Sequence, residues 1–100
     1  MTPAIDPDTS VVFDSNDGAL MRRLELNFRG VNASALDPWS LAMLRRRKFV
    51  TLTDSVVTMT ELGSQVFREC EVVNPESYAS LRWTMSNARL AELGVVLIAG

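Results

Sequence analysis

Four consecutive cations, Arg45, Arg46, Arg47 and Lys48, close a short segment that opens with Asp37 and Pro38. Cations clustered at one end of a helix can neutralise phosphates, which is the main source of affinity for nucleic acid. In that chemistry Ser40 and Arg45 to Lys48 would meet bases and phosphates in a major groove. Arg22 and Arg23 would lie against the DNA backbone. The competing reading needs no ligand: Arg and Lys in a last helical turn complement the helix dipole. The charge distribution favours a partner. Residues 19 to 48 hold seven bases against two acids, although the whole chain of 100 residues carries a net charge of −2.

Other chemistries are poorly supplied. The sequence has no histidine and one cysteine, Cys70. Ordinary zinc sites and Ser-His or Cys-His nucleophiles are therefore excluded, and no metal or cofactor is expected. The five glycines are scattered, so there is no phosphate-cradling loop. Nothing points to carboxylate catalysis, and the chain is read as a non-enzyme. A lone cysteine fits a reducing compartment. No signal peptide is visible, and the longest apolar run, 95–99, is too short to cross a membrane. A cytoplasmic protein is expected.

The elements that would position the cations follow from local patterns. Residues 1–10 read as a flexible lead-in, and residues 11–100 as one domain. Val11, Val12 and Phe13 form a short β-prone run expected to pair with a hairpin. Ser15, Asn16 or Asp17 can cap a first helix, in which Leu20, Met21, Leu24 and Phe28 make the apolar stripe and Gly30 the stop. Residues 31–37 hold at most one helical turn. Asp37 caps a helix with Pro38 at its first position, running to about residue 47. Trp39 is expected to be buried in the core.

Two runs rich in Val, Thr and Phe follow, 49–53 and 56–60, separated by Asp54 and Ser55 alone. That spacing predicts a two-stranded hairpin. Thr60 then caps a helix with Leu62, Val66, Cys70 and Val73 on one face. Gly63 early in that helix implies close backbone approach to a neighbour. Asn74 and Pro75 open a last helix over 75–93. Tyr78, Leu81 and Met85 lie on one side of it and Trp83 and Leu90 on another. A small core uses one side only, so these five residues are predicted to form a homodimer interface, helped by an apolar tail left uncovered by the chain itself.

From Leu44 onward the chain resembles the winged helix-turn-helix superfamily, most closely bacterial and phage regulators of the MarR and PadR kind. Leu44-Arg45-Arg46-Arg47-Lys48-Phe49-Val50 matches the end of their recognition helix, with Lys48 where Gly is usual. Met59-Thr60-Glu61-Leu62-Gly63 matches the end of their wing. The resemblance covers about residues 38–68. It implies an α+β winged-helix domain, mainly helical, with one two-stranded hairpin and a C-terminal helix. It also implies a small regulator of transcription that binds double-stranded DNA. The wing carries no Lys or Arg and has Asp54 at its tip, where phosphates would be repelled. The alternative is therefore a winged helix that docks another protein and regulates or inhibits it.

Overall fold

A computed structural model describes residues 7–73, 77–95 and 97. The elements run β1 (Thr9–Phe13), α1 (Ser15–Leu26), β2 (Val31–Asn32), a 3-10 turn (Ala33–Ala35), α2 (Pro38–Arg46), β3 (Val50–Thr53) and β4 (Val56–Met59). They continue with α3 (Glu61–Glu69), β5 (Glu71–Val73), a second 3-10 turn (Tyr78–Ser80), β6 (Arg82–Ser86) and α4 (Asn87–Glu92). The result is an α+β fold with two antiparallel three-stranded sheets, ordered β1-β6-β5 and β2-β4-β3. The expectation of a single two-stranded hairpin is corrected: the hairpin is there, but β2 joins it and a second sheet lies beside it.

The hairpin forms where residue spacing places it. Thr53 pairs with Val56, Leu52 with Val57, Thr51 with Thr58 and Val50 with Met59. Asp54 and Ser55 take φ of 49° and 68°, which is the twist a two-residue turn needs to match its strands. Alternation sorts the faces: Val50 and Val57 are buried, whereas Thr51 and Thr53 face solvent. Side-chain caps fix the starts of the helices. Asp37 Oδ2 accepts the Ser40 N–H at 2.9 Å, and Thr60 Oγ1 accepts that of Gly63 at 3.0 Å. At α1 the cap is Asp14, not one of the three residues after it; its Oδ1 accepts the Asp17 N–H at 2.8 Å. This helix stops at Leu26, before Gly30, so Phe28 falls outside the apolar stripe and stands 84% exposed.

The second sheet is the main departure. The continuous helix expected over 75–93 is not formed: residues 82–86 are β6, and among the described residues of that stretch only Asn87–Glu92 are α-helical. Leu81, Trp83 and Met85 alternate as readily as they fit a helical stripe, and Trp and Thr favour pleated surfaces. Pairing with β1 on one side and β5 on the other decides the outcome. Accordingly β1 pairs with β6 and not with the hairpin. Ser86, the last residue of β6, caps α4 by accepting the Arg89 N–H. Thr9 and Ser10, assigned to the lead-in, are the start of β1. Residues 1–6 and the expected Asn74–Pro75 helix start lie outside the described residues.

The core runs through both sheets. Phe13, Met21, Leu44, Phe49, Val57 and Val66 are all fully enclosed. Val95, expected in an uncovered tail, is 9% exposed and belongs to this core, with Leu97 packed against it. Residues 96 and 98–100 lie outside the described residues. Among the described residues, no helix is long and apolar enough to cross a membrane.

Candidate functional site

Helix α2 has nine residues and can bury only one side. It buries Ser40, Leu41 and Leu44. The opposite side carries Trp39, Ala42, Met43 and Arg46, spaced i, i+3, i+4 and i+7, so the four make one continuous outward ridge. All four are exposed. Trp39, predicted to be a core residue, is 82% exposed. The reason is angular. Trp39 and Met43 sit across the helix from Leu41 and Leu44, and the latter pair meets α1 and the hairpin. The signal lay in the sequence: Leu36, Leu41 and Leu44 already supply the inward stripe of so short a helix. Trp39→Ala is therefore expected to change stability by less than about 0.5 kcal/mol in denaturant titration. A loss of 2 kcal/mol or more would show that the indole packs against the domain.

The predicted DNA-contacting residues separate into two groups. Ser40 is 5% exposed, faces the Asp17 carboxyl and cannot reach a groove. Arg47 donates from Nη1 to the Val12 carbonyl at 2.8 Å, tying α2 to β1. Arg23 donates from Nη1 to the Ala35 carbonyl at 3.2 Å, closing the first 3-10 turn against α1. These three side chains are engaged within the domain. Arg22, Arg45, Arg46 and Lys48 are exposed, and their side chains have no ion pair or hydrogen bond among the described residues. Arg45 and Lys48 also line a cleft of about 450 Å³ with Val50, Thr51, Leu52 and Thr60. Elsewhere Arg68 pairs with Glu25 at 2.7 Å, and Arg89 with Glu69 at 2.8 Å and Glu92 at 3.0 Å.

Two of the predicted dimer residues are turned into the core. Met85 and Leu90 are 6% and 4% exposed within the core. Trp83 is half-buried, stacked on Phe67 at a centroid distance of 6.1 Å, with its six-membered ring against Gly18. Leu81 is half-buried. The side chain of Tyr78 lies outside the described residues.

Burial pushes the Cys70 thiol up to about 12, with Glu69 adding to the shift, so the sulfur stays protonated and inert at neutral pH. No group of His, Cys, Asp or Glu among the described residues could hold a metal ion. Asp17, a buried carboxyl, sits where α1 meets the start of α2. Burial raises its pKa first, and Asp14 and Asp37 add to this against the Ser40 hydroxyl and Arg47. A raised carboxyl pKa means that the folded state holds the proton more tightly than the unfolded chain. Stability is then lost as pH rises from the ordinary Asp range through the raised value. Asp17→Asn keeps an acceptor for Ser40 and removes that loss. It is expected to be more stable than the parent at pH 7, the advantage shrinking toward about pH 3. An Asn variant less stable than the parent at pH 7 would mean that the ionised carboxylate helps hold α2.

Fold and face together define an α+β domain of two three-stranded sheets that presents one helix by its Trp39–Arg46 ridge. No protein-family model, curated protein or solved structure matches the chain.

Proposed function

We propose that this chain is a winged-helix module that docks a protein through the outward ridge of α2. The winged-helix reading is supported by the order α1, β2, a reduced second helix, α2, and the β3–β4 hairpin as wing, with β2 pairing to β4. It is supported too by Lys48, whose φ of 64° is the left-handed conformation that favours glycine. The observation that carries the function is Trp39, 82% exposed and continuous with Met43 and Arg46. Trp, Met and Arg are the residues enriched at protein interfaces, and Trp and Arg are the commonest hot spots. A groove-reading helix instead presents amides, hydroxyls and guanidinium groups to base edges. Here Ser40 is turned inward and Asp54 occupies the wing tip.

The second reading is a small DNA-binding regulator of transcription. One observation favours it: Arg45, Arg46 and Lys48 stand together without acidic partners. Random duplex DNA at two salt concentrations separates the readings. Docking predicts no measurable duplex affinity at low salt. Affinity that falls steeply as salt is added, and that is lost in an Arg45→Ala, Arg46→Ala, Lys48→Ala variant, would overturn docking in favour of DNA. A photo-reactive side chain at position 39 should link to a protein, and the same group at Val72 should not.

A further inference from the structure

We propose that the protein docked by α2 is a second copy of this chain, the two helices packing antiparallel across a twofold axis. This rests on the reading of α2 as a docking face and names its occupant. A twofold contact is isologous, so the face must complement itself. With the axis between Ala42 and Met43, Trp39 lies opposite Arg46 of the second copy, and Ala42 lies opposite Met43. The first pair sets a guanidinium against an indole face, twice over, and cation–π attraction is strongest for Trp. The second sets a small side chain against a long one, which lets two helices approach at ordinary packing distance.

The charges at the ends agree with the same register. Asp37 caps the start of α2, and Lys48 follows its end with no acidic partner among the described residues. Antiparallel packing brings Lys48 of each copy toward Asp37 of the other. Asp37 uses Oδ2 for the Ser40 N–H, and its other oxygen has no hydrogen bond among the described residues. The helix dipoles also oppose each other favourably. Parallel packing would stack Trp39 on Trp39, Arg46 on Arg46 and Lys48 on Lys48, setting like charges together. A contact between nine-residue helices is smaller than that of an obligate dimer, so association should be weak and concentration-dependent.

Sedimentation equilibrium of the full chain from about 10 μM to about 1 mM tests this. The average mass should climb from 11.1 kDa toward twice that value. Trp39→Arg and Arg46→Trp, each alone, should weaken association at least about tenfold while melting like the parent. Combined, they rebuild the Trp–Arg pair in reverse and should recover most of the loss. No loss of packing within one copy would produce that recovery. Loss in the single variants without recovery overturns the antiparallel register. A mass that stays at 11.1 kDa throughout overturns the second copy as occupant. The docking reading itself survives that result if position 39 still cross-links to another protein. A dimer indifferent to all three variants overturns this face as the contact.

Discussion

Phe13→Ala should destabilise the domain by about 3–5 kcal/mol, the range for truncating a fully enclosed aromatic. Phe13 has no exposed surface. Its ring centre lies 5.4 Å from that of Phe49 and 5.8 Å from that of Phe67, at interplanar angles of 60° and 63°. Phe67 in turn stacks on Trp83. The ring therefore joins the end of β1, the residue leading into β3, the inner side of α3 and, through Phe67, the middle of β6. Each sheet has one exposed face and would be marginal alone; the aromatic chain fastens one to the other. A domain of this size is stable by about 5–15 kcal/mol in total, so the loss is a large fraction of it. The melting temperature should fall by about 12 °C or more. A fall of only a few degrees would mean that the sheets are held by other contacts and that β1 is peripheral.

What the sequence discloses is what short-range physics decides. The hairpin turn and the caps at Asp37 and Thr60 depend on neighbours within four residues, and they are where residue patterns put them. β1 and β6 depend on each other across about 70 residues, and either run alone is equally a loop or part of a helix. Trp83 illustrates the ambiguity. Its spacing to Leu90 fits a helix, its spacing to Met85 fits a strand, and only the presence of β1 and β5 decides between them. The candidate site was half legible for a related reason. The cations of α2 are visible as a run, but which of them are tied down depends on distant carbonyls. Val12 takes Arg47, and no local pattern in residues 45–48 announces it. Trp39 was misplaced because an indole is assumed to want burial. A short helix with Leu41 and Leu44 already turned inward has no second buried side to offer it.

Gly63→Ala should be more damaging than its size suggests, with a loss of about 2 kcal/mol or more. In an ordinary helix interior the change would help by about 1 kcal/mol, because alanine is the better helix former. Gly63 lies in the first turn of α3 and is buried. A Cβ built there would stand well inside van der Waals contact distance of the Phe49 carbonyl oxygen and press on the Phe49 carbonyl carbon as well. The obstacle is backbone, which cannot swing aside as a side chain can. That same carbonyl accepts the Thr60 N–H at 2.9 Å, and Thr60 Oγ1 donates to the Lys48 carbonyl at 2.8 Å. The start of α3, the end of β4 and the turn out of α2 are thus locked around the two peptides that flank Phe49. Relief must come from moving α3 away from Phe49, which opens the Phe13–Phe67 contact, or from shifting the Phe49–Val50 peptide, which strains the adjoining turn out of α2. The second route ties stability to the docking face. If it dominates, Gly63→Ala will weaken association through α2 as well as lowering the melting temperature; if the first dominates, only the melt will move. Equal or greater stability in the alanine variant would mean that α3 stands farther from Phe49 than this packing requires.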